Sequence, residues 1–139
     1  MISRFCSDLD MRDLNHESKG KFRLMLLTPL EYESASLNKR IIVPKDFVTD
    51  LASIPRSLWS FLPPLGRYDR AAVVHDWLYQ TGCVTRETAD FVMLEAMRAS
   101  HVDAVTRYTL YAGVCAGGGP TWRRYRHENA LEQLLLPNI

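Results

Sequence analysis

The chain has 139 residues, of which 47% are hydrophobic and 24% charged, a composition typical of one globular domain with a single core. Seventeen Lys and Arg residues against sixteen Asp and Glu residues leave a formal net charge of +1, so charge gives no reason to expect a nucleic-acid partner. Neither a signal-peptide core nor a run near the roughly 20 apolar residues of a membrane span occurs, so we expect no transmembrane segment and no export by the standard route.

The N-terminal half is predicted to form a small antiparallel sheet. Residues 1–20 are polar and form either a loose arm or an edge element. Residues 21–50 are rich in β-compatible types, and Pro29 and the turn-forming "SLNK" divide them into two or three strands. Pro29 and Pro44 should lie at strand ends or edges, because proline cannot donate a ladder hydrogen bond.

The second half is predicted to be helical, after an ordered Pro-rich loop over 51–66 with one helical turn possible at 57–62. Helical patterns then cover 67–128. Thr81 and Gly82 end the first helix, Thr85 can cap the second, and "GGG" closes the third. The four predicted helices are 69–79, about 86–100, 102–116, and the segment "TWRRYRHENALEQLL". The predicted fold is therefore a single α+β domain over 1–139.

The stretch "AAVVHDWLYQTG" places two polar side chains, His75 and Asp76, in an otherwise apolar helix. In the next helix, Asp90 lies at the margin of an apolar stripe. The loop "QTGCV" is short, so the two helices should be antiparallel neighbours, and His75 and Asp90 then lie at similar heights. The spacing predicts a His–Asp pair across the hairpin, with Asp76 facing the side where the Pro-rich loop returns.

Such a pair has two interpretations. The carboxylate would fix the ring tautomer and leave the second nitrogen of His75 free to act as a general base. A buried His–Asp pair is as often only a satisfied hydrogen bond that holds two core helices together. Tyr79 likewise could support the pair or be a core aromatic whose hydroxyl bonds a backbone group.

A basic run with neighbouring aromatic residues, Arg123, Arg124 and Arg126 beside Trp122, marks the C-terminal segment. It could contact phosphates or a protein interface. A solvated face of extended side chains is the more common role of such a run, and we expect that role here.

Three segments in order, "IIVPKDFVTDLASIPRSLW", "LPPLGRYDRAAVVHDWLYQTG" and "TRETADFVMLEAM", resemble a phage and prophage family catalogued as domain-of-unknown-function family 1353. The resemblance covers about residues 40–98. Asp46 stands where that family has Gly, and we expect it to adopt the turn or left-handed conformation that Asp tolerates. The resemblance implies synthesis in the host cytoplasm, incorporation in the virion, and other virion proteins as partners.

A more distant resemblance connects the helical hairpin with secreted phospholipases A2 of the bacterial and fungal type. "TDLASIP", "HDWLY" and "ADFVMLEAM" are similar, in the same order, to the calcium loop and the two catalytic helices of those enzymes. The resemblance implies a phospholipase A2-like helical core in which His75 activates a water, Asp90 orients His75, and Tyr79 supports the pair.

The same resemblance implies a calcium ion, bound by the Asp76 and Asp50 carboxylates and the Leu51 carbonyl. Calcium prefers such oxygen ligands and would stabilise the oxyanion that forms on an ester carbonyl. Ala52 replaces the cysteine that ties the calcium loop of that family to its helices. Two carboxylates and one carbonyl would also leave most of the roughly 6 to 8 coordination positions to water or substrate.

Two functions are therefore expected. The first is calcium-assisted hydrolysis of a lipid, or of another ester or amide of the host envelope. The second is a non-catalytic tail or baseplate component of the virion, in which the His–Asp pair only stabilises the hairpin.

Overall fold

A computed structural model of the protein describes residues 1–14, 23–51, 53–55, 57–58 and 67–135. The strands are β1 (Arg4–Phe5), β2 (Met11–Asp13), β3 (Leu24–Leu26), β4 (Leu30–Ser34), β5 (Lys39–Val43) and β6 (Val48–Thr49). The helices are α1 (Asp69–Thr81), α2 (Arg86–Ala99), α3 (Ala104–Gly117) and α4 (Gly119–Leu135). Small antiparallel sheets precede the helices, which confirms the α+β prediction.

The strands form two three-stranded antiparallel sheets, with the orders β1-β4-β5 and β2-β3-β6. Strand β4 alternates buried and half-buried residues, as expected for a strand with one face on the core. The β4–β5 hairpin turns at the predicted "SLNK" segment, where Asn38 has a φ of 50°. Pro29 directly precedes β4 and Pro44 directly follows β5, so both lie at strand ends as predicted.

The polar N-terminal residues act as an edge element over their described part. Strand β1 pairs with β4 and strand β2 pairs with β3, so each adds an outer strand to one sheet. Residues 15–22 lie outside the described part of the chain. Asp46 has a φ of 71°, which confirms the left-handed conformation expected where the family has glycine.

The hairpin of α1 and α2 has the predicted caps. Gly82 ends α1 with a φ of 63° and donates its N–H to the Leu78 carbonyl at 3.0 Å. Thr85 begins α2, where its hydroxyl accepts the Thr88 N–H at 3.2 Å. Helix α1 extends two residues beyond the predicted end at Tyr79, because Gly82 allows the left-handed C-cap there.

Helix α1 lies at the centre of the molecule and contacts α2, α4 and both sheets. Eight of its residues are buried, including His75 and Asp76, so polar groups enter the core from this helix. Helix α4 ends at Leu135, which is also the last residue of the predicted fourth segment, "TWRRYRHENALEQLL". The predicted turn at 57–62 lies mostly outside the described residues. Among those residues, no helix combines the length and the apolar character needed to span a membrane.

Candidate functional site

The predicted pair between α1 and α2 is present. His75 Nε2 lies 2.7 Å from Asp90 Oδ1, and the two side chains are 0% and 3% exposed. A buried carboxylate and a buried imidazole are each costly without a partner, so each group offsets the cost of the other. This contact joins α1 and α2 at the height along the helices that the sequence spacing of His75 and Asp90 predicts.

Tyr79 completes the environment of Asp90. Its hydroxyl donates to Asp90 Oδ1 at 2.7 Å, and its ring lies 4.3 Å from that of His75. Burial raises the pKa of Tyr79, and the hydrogen bond to Asp90 raises it further, so the hydroxyl keeps its proton. Tyr79 thus donates a hydrogen bond to Asp90 instead of to a backbone group, and its part in catalysis stays a prediction.

Ser53 occupies the other side of the imidazole, and sequence reasoning gave it no role. Its Oγ lies 3.0 Å from His75 Nδ1, and Ser53 is 1% exposed. The carboxylate of Asp90 can only accept, so His75 Nε2 carries the proton in the neutral ring. His75 Nδ1 is then an acceptor, and Ser53 donates its hydroxyl proton to it.

A tight turn after β6 brings Ser53 to this position. Leu51 has a φ of 54°, an uncommon conformation for a residue with a side chain. Hydrogen bonds between described residues of the turn join Leu51 N–H to Thr49 Oγ1 at 3.1 Å and Ile54 N–H to the Leu51 carbonyl at 3.0 Å. Uncommon backbone geometry of this kind is concentrated at functional sites.

Asp76 belongs to a separate buried network on another side of α1. Its Oδ2 accepts hydrogen bonds from Thr49 at 2.6 Å and Gln80 at 3.1 Å, and its Oδ1 accepts from Tyr125 at 3.4 Å. Burial raises the pKa of Asp76; the hydrogen bond from Thr49 opposes that shift and the nearby Asp50 charge adds to it. Asp76 therefore anchors the turn after β6 to helix α1.

The three predicted calcium ligands lie in this region. Asp50, Gln80 and Tyr125 line a groove of about 570 Å³ beside the Asp76 network. Both carboxylate oxygens of Asp76 already accept hydrogen bonds, and no cluster of three or more His, Cys, Asp or Glu side chains suited to a metal occurs in the described residues. Calcium binding by Asp50, Leu51 and Asp76 stays a prediction.

Glycines at the end of α3 allow close packing beside the site. A methyl group at Gly118 would overlap the Tyr79 hydroxyl, and one at Gly117 would lie 2.9 Å from Pro55 Cγ. The "GGG" run separates α3 from α4, since Gly117 is the last residue of α3 and Gly119 the first residue of α4. Its packing role was missed, because the sequence does not show which surface a glycine will face.

Arg126 corrects the expectation of a solvated basic run. Arg123 and Arg124 are exposed, but Arg126 is half-buried and donates from Nη2 to the carbonyls of Tyr79 at 2.6 Å and Gln80 at 2.8 Å. A cation at these carbonyls stabilises the C-terminal end of α1. Arg126 therefore joins α4 to the helix that carries His75.

Comparison with known proteins identifies one family. A family model described as "Protein of unknown function (DUF1353)" matches residues 24–114, more than half of the chain. The match begins in β3 and ends in α3, so it is longer than the resemblance over 40–98 and contains Ser53, His75 and Asp90. No curated protein matches the chain. No solved structure matches it either.

Proposed function

Since the chain belongs to a family described only as proteins of unknown function, we propose its activity from its own site. The proposal is a hydrolase of the phospholipase A2 type, made in a phage or prophage setting, that cleaves a lipid or another ester or amide of the host envelope. The observation that carries it is the 2.7 Å contact between His75 Nε2 and Asp90, with the opposite ring nitrogen bonded to a hydroxyl.

His75 is the general base in this proposal. When Nδ1 accepts a proton from the attacking hydroxyl, the ring becomes a cation, and Asp90 is already placed to stabilise it. Tyr79 holds the Asp90 oxygen that accepts from the ring. The surrounding core is apolar, so this charge stabilisation is stronger than it would be in water.

An exposed apolar helix end supports a lipid as the substrate class. Leu131, Leu134 and Leu135 of α4 are 44%, 82% and 81% exposed. Scattered surface leucines are ordinary, but three within five residues provide a local apolar contact for a lipid surface. The phospholipase A2-like character of the helical core stays part of the proposal.

Phospholipid hydrolysis tests the function directly. Vesicles of phosphatidylethanolamine and phosphatidylglycerol are incubated with the purified chain, and released fatty acid is measured by mass spectrometry. We expect release by the unmodified chain and a loss of at least about 10³-fold in His75→Ala, because the base is removed. His127→Ala, at an exposed histidine of α4, is the matched control and should keep full activity.

The same assay tests the predicted role of calcium independently of the proposed hydrolase activity. Release is compared with added calcium and with chelator, and calcium binding is measured by calorimetry on the unmodified chain and Asp50→Asn. Catalysis by His75 does not depend on the ion in this proposal, so hydrolysis with chelator supports it. Absence of release from vesicles and from soluble short-chain esters, with and without calcium, contradicts the hydrolase.

A non-catalytic virion component is the second candidate, and the enclosure of the site favours it. His75 is 0% exposed, and both ring nitrogens are satisfied within the chain. In that role His75→Asn lowers the free energy of unfolding by about 1–3 kcal/mol, through lost hydrogen bonds, and the unmodified chain has no turnover. Denaturant unfolding together with the vesicle assay distinguishes the two functions.

A further inference from the structure

We propose that Ser53 is the nucleophile of this site, so that hydrolysis passes through an acyl group on Ser53 Oγ. The inference rests on the proposed hydrolase and names the attacking hydroxyl, which that proposal leaves open. Ser53, His75 and Asp90 then act together as nucleophile, base and orienting carboxylate. The resemblance to phospholipase A2 instead implies a water in the place of Ser53.

The inference depends on which atom donates in each hydrogen bond of the His75 ring. Asp90 accepts from Nε2 at 2.7 Å, which leaves Nδ1 as the acceptor of the Ser53 hydroxyl proton at 3.0 Å. A hydroxyl that donates to an imidazole, itself oriented by a carboxylate, is the arrangement that activates a serine. The ring nitrogen that a catalytic water would need is therefore already bonded to Ser53.

The backbone holds the Ser53 side chain at this place. Leu51 has a left-handed φ of 54°, and Thr49 accepts the Leu51 N–H while donating its hydroxyl to Asp76 at 2.6 Å. Asp76 lies next to His75 on α1, so the same helix positions both the base and the turn that carries the nucleophile. Nucleophilic serines on strained turns at strand ends occur in other hydrolases.

The reaction balances without a co-reactant. A bond forms between Ser53 Oγ and the acyl carbon while the hydroxyl proton moves to His75 Nδ1. The bond to the leaving alcohol or amine then breaks, and the leaving group takes that proton. Water next attacks the acyl carbon and gives a proton to Nδ1. The bond to Ser53 Oγ breaks, Oγ recovers the proton, and the free acid is released.

Covalent labelling with a small fluorophosphonate tests the inference. The probe forms an oxygen–phosphorus bond with an activated serine and releases fluoride, and peptide mass spectrometry locates the adduct. Ser53 is 1% exposed, so labelling is measured both in buffer and with vesicles present. We expect the adduct on Ser53 of the unmodified chain and a loss of at least about 10³-fold in the labelling rate of His75→Ala.

Variants at two serines of the same segment sharpen the test. Ser53→Ala should lose both labelling and ester hydrolysis, whereas Ser57→Ala, at an exposed serine four residues later, should keep both. Circular dichroism and thermal melting compare the folding of the two variants. Because the adduct is mapped on the unmodified chain, the result stands even where Ser53→Ala does not fold.

The possible failures are distinguishable. A chain that hydrolyses ester but carries no adduct on Ser53, or a folded Ser53→Ala that retains hydrolysis, uses water as its nucleophile. Either result overturns this inference and leaves the hydrolase in place. A chain that neither hydrolyses ester nor reacts with the probe removes the proposed function and this inference together.

Discussion

Two carboxylates of helix α2, Asp90 and Glu95, lie in different surroundings although only five residues separate them. Glu95 accepts hydrogen bonds from Tyr32 Oη at 2.6 Å, Ser34 Oγ at 2.8 Å and the Ser36 N–H at 3.0 Å. All three donors come from the sheet or the turn that follows β4. This network joins α2 to the sheet, and none of its donors is a group that gains and loses a proton near neutral pH.

Asp90 differs because one of its donors is an imidazole. The imidazole has a second ring nitrogen that can accept a proton while His75 Nε2 stays bonded to Asp90 Oδ1 at 2.7 Å. The comparison shows that burial and satisfied hydrogen bonds do not by themselves distinguish a structural carboxylate from a functional one. In the proposed hydrolase the chemistry of the donors distinguishes them, and each substitution below affects one network more than the other.

The largest effect is expected from Asp90→Asn. The amide oxygen can still accept from His75 and Tyr79, but its neutral group no longer stabilises the protonated ring. Ester hydrolysis should fall by about 10³-fold to 10⁴-fold, with little change in melting temperature. The rate is measured with the vesicle assay and the folding by thermal melting.

Glu95→Gln is the matched control for that substitution, because it makes the same carboxyl-to-amide change on the same helix. Hydrolysis per folded molecule should be unchanged in Glu95→Gln. Equal losses of activity in both variants would show that Asp90 acts only through the stability of α2.

A moderate effect on stability is expected from Gly118→Ala. The added methyl group would overlap both the Tyr79 hydroxyl that bonds Asp90 and the Val114 carbonyl oxygen, so Tyr79 and the end of α3 must shift. Overpacking of this kind lowers the free energy of unfolding by about 1–3 kcal/mol. Urea unfolding provides the measurement.

Gly119→Ala, at the next residue, is the control for this crowding. Its methyl group would lie 3.2 Å from the end of the flexible Arg123 side chain, which can move aside. We expect a change within about 0.5 kcal/mol. Similar losses for the two glycines would indicate a general effect of alanine at these positions instead of crowding at Gly118.

Apart from the Gly119→Ala control, the smallest effect is the loss of stability in Glu95→Gln, together with its pH dependence. Burial by itself would raise the pKa of Glu95, but the hydrogen bonds from Tyr32, Ser36 and Ser34 lower it below the ordinary value of 4.5. Glu95 therefore stabilises the fold above about pH 4.5. This contribution is lost as the pH falls through the lowered pKa of the folded state.

The expected loss at neutral pH is about 1 kcal/mol, because Glu95 is half-buried and solvent screens its charge. Urea unfolding of the unmodified chain and of Glu95→Gln at a series of pH values measures the difference. The two stabilities should converge as the pH falls below 4.5. A difference that grows on acidification would contradict the lowered pKa.

Much of the fold could be predicted because local residues determine it. Thr85 and Gly82 mark the adjacent ends of two helices, and a short loop between them makes the helices antiparallel. Each helix residue adds the same rise along the helix axis, so the number of residues from the loop gives the height of His75 and of Asp90. The two heights match, which predicts their contact. The left-handed conformation of Asp46 could also be predicted, because aspartate tolerates that conformation better than most residue types.

The sequence by itself determined the α+β class, the helical hairpin and the pairing of His75 with Asp90. Only the tertiary structure decided that Ser53 lies on the second ring nitrogen, that Asp76 is enclosed by donors, and that Arg126 reaches the end of α1. These contacts join segments far apart in the chain, and their geometry depends on the path of the intervening backbone. Leu51 has a left-handed backbone conformation, which leucine disfavours. Contacts with distant parts of the chain must therefore stabilise it.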